Sequence, residues 1–353
     1  MTNGMAGGRD VAGYKAVSKF YNALMTGLVL TLVTRAGEEA ARRFVFGHFR
    51  RQHLEKFLPG LKKLGLDRLP DAVACAQYHY LSNALGGVKT EYVAESDRKA
   101  WVRYPPPRWI WQGTAICAVP KSVNEAMLYG WHGHNGVSLG NPRLGFVCTG
   151  ETVEGDPGLE GYYFEYDREL APEERVRFAP EERAPRYDRA HAPKLDSERW
   201  PAERLRKVER SYAMEYVRSM LPTMLELFGA DATRTLLGRA ARLIGLQFYE
   251  EIADILGAAG QGAGDFARWL AALAAAQGEQ AEVRKDGDAA IVVQHGWRLM
   301  DGIALVDRAG FEAWNALWEG ALAAHNRDLR LVTTRQNGDV LWRIEGWQIA
   351  RNA

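Results

Sequence analysis

Cysteine, net charge and long apolar runs are all scarce in this chain. Its three cysteines, Cys75, Cys117 and Cys148, are far apart and odd in number, which favours a reducing compartment over a disulfide framework. The formal net charge is +1, so no long-range field marks nucleic acid or an anionic membrane as a partner. The sequence therefore predicts neither a disulfide-stapled domain nor a nucleic-acid-binding protein.

No stretch looks long and apolar enough to span a membrane. The most apolar run, GLVLTLV, continues into TRAGEEAARR, whereas a span needs about 20 apolar residues. The start, MTNGMAGGRD, has no charged region followed by an apolar one, so it does not resemble a signal peptide. We expect a cytoplasmic protein with no membrane partner.

Signatures of well-known catalytic and cofactor sites are also missing. The sequence has no Gly-x-Ser-x-Gly elbow, kinase set, dinucleotide fingerprint, Cys-x-x-Cys or His-Glu-x-x-His pattern. Gly86-Gly87 precedes a predicted strand and no Lys-Ser/Thr follows it, so it predicts a helix stop and not a phosphate loop. We expect no bound cofactor.

What the sequence does contain is an internal repeat. Its 353 residues suffice for two domains, and sliding the chain by 191 residues aligns 76–135 with the second half without a gap. The aligned identities are sparse, but the strand and turn patterns agree. The identical pairs are Ala76 with Ala267, Gly87 with Gly278, Glu91 with Glu282, Asp97 with Asp288, Val102 with Val293, Asn124 with Asn315, and His134-Asn135 with His325-Asn326.

Each half reads as helices, a hairpin, a helix and a second hairpin. That order predicts an α+β fold of two tandem-duplicated domains, each with helices packed on an antiparallel sheet. We place the first domain at 1–167 and the second, degenerate copy at 208–353. Residues 168–207 hold five of the 14 prolines and are dense in charge, which predicts a linker between them.

The second half resembles a known family. The segments AEVRKDGDAAIVV, FEAWNALWEGALAAHN and LRLVTTRQNGDVLWRIE, in that order, are similar to the L-2-amino-thiazoline-4-carboxylic acid hydrolase-like family and, more distantly, to four-vinyl-reductase-like ligand-binding domains. The resemblance covers the second half and, more loosely, the first. It implies hydrolytic opening of a small heterocycle by cleavage of a C–N bond.

Two histidines stand close together in NEAMLYGWHGHNG. His134 and Asn135 recur in the second half, where a helix also ends, so they are predicted to form a helix end, with Asn135-Gly136 as its stop. His132 corresponds to Ala323, so the helix does not require it. Residues two apart on a helix point about 200° apart. We therefore predict no metal site here, unless that helix end unwinds and two further ligands arrive.

Positions that are reactive or aromatic only in the first half are candidates for function. Aromatic walls with a few fixed polar groups are typical of a small-molecule pocket, and arginine suits a ligand carboxylate. In the alternative interpretation, the tryptophans fill an interface and the arginines stay solvated. The predicted substrate-binding residues are His79, Asn83, Trp101, Arg103, Tyr104, Arg108, Trp109 and Trp131.

Four residues are candidates for the chemistry. His132 or His134 would activate water, with Glu165 as a carboxylate base if the tyrosines around it raise its pKa, and Cys148 would be a nucleophile if it were not simply buried. We expect a hydrolase of a C–N or related bond in a small cyclic, carboxylate- or carbonyl-bearing molecule. A non-catalytic binding or sensor protein, or a lyase using the same pocket, stay open, as does a homodimer.

Overall fold

The computed structural model describes residues 3–108, 110–304 and 308–347. The chain forms two compact units. One is Leu32–Val208, and the other combines the chain up to Thr31 with the chain from Glu209 onward. The predicted boundaries differ from this division at two points. The segment 168–207, predicted to be a linker, is part of the first of these units, and the first 31 residues belong with the second half.

The Leu32–Val208 unit begins within a long helix and ends within another. Its elements, in order, are the end of α1 (Asn3–Ala36), α2 (Glu38–Leu64), α3 (Asp71–Leu85), β1 (Glu91–Ser96), β2 (Lys99–Tyr104), α4 (Lys121–Gly130), a 3₁₀ turn (His132–His134), α5 (Asn135–Leu139), β3 (Leu144–Gly150), β4 (Leu159–Glu165), β5 (Val176–Phe178) and the start of α6 (Ala202–Ala232). Further 3₁₀ turns lie at Gly113–Ala118, Thr152–Glu154 and Pro172–Glu174.

The other unit holds most of α1 and α6 and repeats the same order. Its remaining elements are a π-helical turn (Thr233–Leu237), α7 (Gly238–Leu256), α8 (Ala263–Ala276), β6 (Ala281–Asp286), β7 (Ala289–Gln294), a 3₁₀ turn (Arg298–Met300), α9 (Arg308–His325), β8 (Leu329–Gln336) and β9 (Asp339–Gly346).

The two sheets share one strand order. The first runs β1-β2-β4-β3-β5, and the second runs β6-β7-β9-β8. All neighbours pair antiparallel except β5, which lies parallel to β3 at the edge. The predicted α+β class is confirmed. The common strand order is what a duplication requires, whereas the duplication itself stays a prediction.

A β-bulge shifts the alignment of the two halves by one residue. In β1, Ala94 pairs with Ala100 but Ser96 pairs with Lys99, so one extra residue is inserted between them. The β6–β7 hairpin has no such irregularity. As a result the second strands, which begin at Lys99 and Ala289, lie 190 residues apart and not 191. The ungapped alignment is therefore wrong across β2.

The corrected register changes the partners of the predicted site residues. Trp101 lies opposite Tyr162, as Ile291 lies opposite Arg343. By the same pairing Arg103 corresponds to Val293, and Tyr104 corresponds to Gln294. The contrast between the halves becomes sharper, because an aromatic and a charged residue on β2 replace two aliphatic ones.

The first sheet has two faces with different coverings. Side chains alternate along a strand, so Ala100, Val102 and Tyr104 point to the inner face, which carries α3. Trp101 points the other way, to the outer face. There it packs with Val147 and Tyr162 and is covered by Ala179 and Ala184. We call residues 179–187 the outer strap.

The predicted helix end around His134 is wrong in its details. Helix α4 stops at Gly130, and the chain continues through the 3₁₀ turn into α5. Asn135 has φ −62° and is right-handed, so it starts a helix and does not stop one. The stop is Gly140, whose φ of 72° suits glycine. Helix α4 therefore ends before the predicted stop at Asn135-Gly136, and the left-handed stop at Gly140 belongs to α5.

One helix bears on membrane association. Among the residues that the structure describes, Val11–Ala36 is long and apolar enough to cross a membrane by length and composition, and the run is longer than GLVLTLV alone suggested. However, 61% of its most apolar window is buried inside the structure, as in a core helix of a soluble protein. This is weak evidence for a span.

Candidate functional site

A buried histidine lies at the centre of the inner face. His79 sits on α3 and is 5% exposed. Its Nδ1 lies 2.9 Å from the Tyr104 hydroxyl on β2, and its Nε2 lies 2.8 Å from the Tyr163 hydroxyl on β4. Both tyrosines are buried, so both ring nitrogens of His79 are hydrogen-bonded out of solvent.

A neighbouring amide extends these hydrogen bonds. Asn135 Nδ2 donates to the Tyr163 oxygen at 2.9 Å. The Tyr163 hydroxyl can then donate to Nε2 of His79, which leaves the proton of the neutral imidazole on Nδ1, where it is donated to Tyr104. The result is one directional chain running from Asn135 to Tyr104.

A second imidazole is stacked on the first. The ring of His132 lies 4.3 Å from that of His79, with planes 8° apart, and it also contacts the rings of Phe146 and Tyr163. His132 is 5% exposed, and neither of its ring nitrogens has a hydrogen-bond partner. We call His79, His132, Tyr104 and Tyr163 the histidine cluster. An unpaired buried polar group of this kind calls for a functional or energetic reason.

The cluster is electrically neutral at physiological pH. Burial lowers the pKa of His79 to about 3, with a smaller contribution from His53. Burial also holds the pKa of His132 well below its usual value, helped by His79, His53 and Arg108. Burial raises the pKa of Tyr163 well above its usual value. The neutral imidazoles offer unprotonated nitrogens as proton acceptors, but the burial that lowers their pKa also makes them weak bases.

The outer face holds the second candidate, an open cleft of about 360 Å³. Its floor is the outer side of β1, β2 and β4, and its wall is the end of the outer strap. It does not include any member of the histidine cluster. The lining residues are Glu91, Tyr92, Val93, Trp101, Arg103, Glu160, Ala184, Pro185, Arg186 and Tyr187.

The polar groups of the cleft are held in fixed positions. Arg103 donates to Glu91 at 2.7 Å and to the carbonyl of Pro157 at 3.1 Å, and its Nε lies 3.5 Å from Glu160. Glu160 also accepts from the backbone N–H of Ala184 at 3.1 Å, which ties the outer strap to the sheet. Tyr187 makes a hydroxyl–hydroxyl contact of 3.1 Å with Tyr80.

The predicted substrate-binding residues therefore lie on two opposite faces. Trp101 and Arg103 line the outer cleft, whereas His79 and Tyr104 belong to the inner histidine cluster. Since the sheet separates them, they cannot line one pocket. Strand alternation in the sequence already contained this information, because Arg103 and Tyr104 are consecutive residues.

Three other predicted binding residues surround the histidine cluster. Asn83 is used locally, because its amide donates to the His79 carbonyl at 2.7 Å. Trp131 packs against the rings of Tyr78 and His79. Arg108 is 6% exposed, lies 5.6 Å from the Tyr104 ring and donates to Thr152 at 3.4 Å. Trp109 lies outside the described residues.

The remaining predicted catalytic residues do not join the cluster. His134 is half-buried, and its Nδ1 lies 2.8 Å from the Tyr129 carbonyl. Glu165 pairs with Arg143 at 2.5 Å and lies at the end of β4. Cys148 is 2% exposed, and burial, with Glu151 nearby, raises the pKa of its thiol to about 12. A thiolate nucleophile is therefore not populated at neutral pH, and the inert interpretation of Cys148 fits.

The described residues offer no evident metal-ion site. Within the three described ranges, no group of three or more His, Cys, Asp and Glu side chains has the arrangement to hold a metal ion. His132 and His134 are engaged separately, the first with His79 and the second with the rings of Phe46 and His53.

Several important residues were missed by the sequence reasoning. Tyr163 and Asn135 complete the histidine cluster, and Glu91, Glu160 and Tyr187 complete the cleft. The alternation of β4 could have indicated Tyr163. No sequence signal placed Tyr187, because it lies in the segment interpreted as a linker.

The fold and its two sites define an α+β protein with a hydrogen-bonded histidine cluster under one sheet and an aromatic, charged cleft on the other face of that sheet. The chain matches no known family model, no curated protein and no solved structure.

Proposed function

We propose that the Leu32–Val208 unit binds a small organic molecule in the outer cleft. The observation that carries this proposal is the cleft itself, which combines an open volume, buried aromatic rings and paired charges fixed by hydrogen bonds. Ligand sites commonly combine such walls with a few oriented polar groups. The corresponding strand positions of the other unit hold Ile291 and Val293, which supply neither an aromatic ring nor a charge.

The proposed ligand is small, and we propose that the protein works in the cytoplasm. A volume of about 360 Å³ suits a molecule at the lower end of ordinary ligand size. All three cysteines are free, which supports a reducing compartment.

Ligand binding is tested with the intact protein and a panel of ring-bearing compounds. Ligand-observed NMR with single-ring amines, carboxylates and neutral analogues should detect at least one binder. Tyr187→Ala removes one wall of the cleft and should weaken that binder at least about fivefold, since a lost aromatic contact is worth about 1 kcal/mol or more. Phe178→Ala, at an exposed position before the outer strap, should leave binding unchanged. If no compound binds, or if Tyr187→Ala has no effect, the proposal fails.

A second candidate function is hydrolysis at the histidine cluster. It is favoured by His132, a neutral, buried imidazole with two unpaired nitrogens beside Arg108. A base of this kind could activate water against a C–N bond, and the arginine could stabilise an oxyanion. The cleft and the cluster lie on opposite faces, so this chemistry would need its own substrate path.

Hydrolysis is tested by mass spectrometry in ¹⁸O-labelled water with five-membered lactams, hydantoins and thiazoline carboxylates as probes. Turnover with one incorporated ¹⁸O that disappears in His132→Ala and persists in His134→Ala would support the candidate. Turnover that survives in His132→Ala would exclude His132 as the base. Product of unchanged mass would indicate a lyase.

A further inference from the structure

The outer face already carries one bound cation, and it belongs to the protein itself. Lys99 Nζ lies 4.9 Å from the Trp101 ring centre and 4.3 Å from that of Tyr162. Two carboxylates complete its surroundings, Glu95 at 3.2 Å and Glu182 at 3.7 Å. Aromatic faces and carboxylates together stabilise an ammonium group, because the ring quadrupole and the negative charge act in the same direction.

The adjoining cleft offers the same combination of groups without a lysine. Trp101 is common to both, and Tyr187 of the outer strap adds a second ring. Glu91 and Glu160 supply two carboxylates. The outer cleft therefore repeats the aromatic and acidic surroundings of Lys99.

The arginine of the cleft is not available for a ligand carboxylate. Arg103 uses Nη1 on Glu91, Nη2 on the Pro157 carbonyl and Nε towards Glu160. One guanidinium charge thus stands between two carboxylates. The hydrogen bond from Arg103 is made to Oε2 of Glu91, a carboxylate that lines the cleft.

Arg186 does not reverse this balance. It lies at the rim, on the outer strap, and is exposed. A solvated, mobile charge contributes little to a contact, whereas charges held in a protein environment contribute more. The fixed charges at the floor of the cleft therefore decide the preference.

We propose that the outer cleft binds a small organic cation, an ammonium attached to a single ring or a short apolar group, through Glu91 and the rings of Trp101 and Tyr187. This rests on the proposed binding function and gives its ligand class. It also replaces the carboxylate ligand that the sequence suggested, because Arg103 is occupied by the protein's own acids.

The test uses three probes that share a phenethyl group and carry a positive, a neutral or a negative polar group: phenethylamine, phenethyl alcohol and 3-phenylpropionate. Titration calorimetry and ligand-observed NMR with the full chain should give the amine a Kd about tenfold or more below that of the alcohol. Binding of the amine should weaken as salt is raised from 20 to 300 mM, because a partly exposed ion pair is screened.

A matched pair of variants locates the effect. Glu91 and Glu282 occupy the same position of the repeat, opposite Arg103 and Val293 respectively. Glu91→Gln should weaken the amine about tenfold and leave the alcohol unchanged, whereas Glu282→Gln should change neither. Thermal melting of both variants separates a loss of binding from a loss of folding.

The outcomes distinguish a failure of the proposed ligand class from a failure of the proposed binding function. If the carboxylate binds best and Arg186→Gln abolishes that binding, the cleft binds a ligand but the cation proposal is overturned. Equal binding of amine and alcohol overturns it as well. If none of the three probes binds, and no other single-ring compound does, the binding function itself is wrong.

Discussion

The inner faces of the two sheets show how one architecture supports two different interiors. In the Leu32–Val208 unit, the inner face holds polar rings beside a glycine; in the other unit, the same positions are apolar except for Gln294. The corresponding residues are His79 and Leu270, Tyr104 and Gln294, Tyr163 and Ile344, His132 and Ala323, and Gly161 and Trp342. An α+β core can be built without a buried imidazole. The buried polar groups of the Leu32–Val208 unit cost folding free energy, so its inner face is the better place to look for function.

A glycine makes room for the polar version. At Gly161, an added Cβ would lie 2.4 Å from the ring of Phe146, so that ring occupies the space of a side chain. Phe146 in turn packs against His132. In the other unit Trp342 fills the same place and donates to Asn315 at 2.7 Å. The two interiors are therefore alternative solutions to one packing problem.

The largest expected difference between the units is their response to acid. Burial lowers the pKa of His48, His53 and His79 to about 3 each. Nearby groups lower these pKa values further by smaller amounts: Arg51 acts on His48, Arg50 and His134 act on His53, and His53 acts on His79. The unfolded chain, with histidine pKa values near 6.5, takes up protons first. Stability is therefore complete above pH 6.5 and falls as the pH drops towards 3, by about 2 kcal/mol per histidine at pH 5.

The measurement is peptide-resolved hydrogen exchange at pH 7 and pH 5, corrected for intrinsic exchange rates. Protection of α2 and α3 should fall by orders of magnitude at pH 5, because three histidines together cost about 6 kcal/mol. Equal loss of protection in α7 and α8 would contradict a difference between the two cores.

The next effect concerns the tryptophan and the glycine. Trp342→Ala should destabilise its unit by about 3–5 kcal/mol, because it removes a large buried ring and leaves Asn315 without its donor. Gly161→Ala should destabilise the other unit by about 1–3 kcal/mol through crowding against Phe146. Urea unfolding followed by near-ultraviolet circular dichroism measures both. A neutral Gly161→Ala would mean that Phe146 relaxes without cost.

A substitution that copies one core into the other tests the hydrogen-bond chain. His79→Leu should cost about 2–4 kcal/mol, because the buried hydroxyls of Tyr104 and Tyr163 lose their shared partner. Its triple variant with Tyr104→Phe and Tyr163→Phe should regain part of that stability. If the single variant is as stable as the parent chain, the cluster does not act as a unit.

The smallest effect involves the repeated histidine. His325 accepts from the Tyr249 hydroxyl at 2.5 Å and lies 3.0 Å from the Gly262 carbonyl, fully buried, so His325→Ala should cost about 2 kcal/mol. His134 is half-buried with one hydrogen bond, so His134→Ala should cost about 0.5 kcal/mol or less. Thermal melting of both variants measures these costs. Equal costs would indicate that the two histidines have the same structural role.

The sequence predicted the arrangement of elements better than their register. Hairpins and helices followed from periodicity. Asn124 and Asn315 each accept from a tryptophan indole, although the two tryptophans, Trp111 and Trp342, come from different places in their halves. The bulge between Ala94 and Ser96 has no sequence signature and displaced every comparison on β2. Local backbone irregularity of this kind is set by tertiary packing.

The candidate site was predictable in its members and not in its assembly. His79, His132 and Tyr104 were singled out because they differ from the second half, and they do meet. From the sequence, Arg103 seemed suited to a ligand carboxylate. Its actual acidic partners, Glu91 and Glu160, were hidden because they lie on other strands. Such pairings depend on which strands are neighbours, and the residue pattern alone does not give that.

Strand β5 has a practical consequence for handling the first unit. It pairs with the outer edge of β3, all seven residues of which are buried. A fragment ending at residue 167 would uncover that edge, and LGFVCTG, without charge or proline, would be free to template intermolecular strand pairing. Limited proteolysis between β4 and β5 would do the same. A fragment intended to stay in solution should therefore extend beyond the outer strap, to about Trp200, which is itself buried.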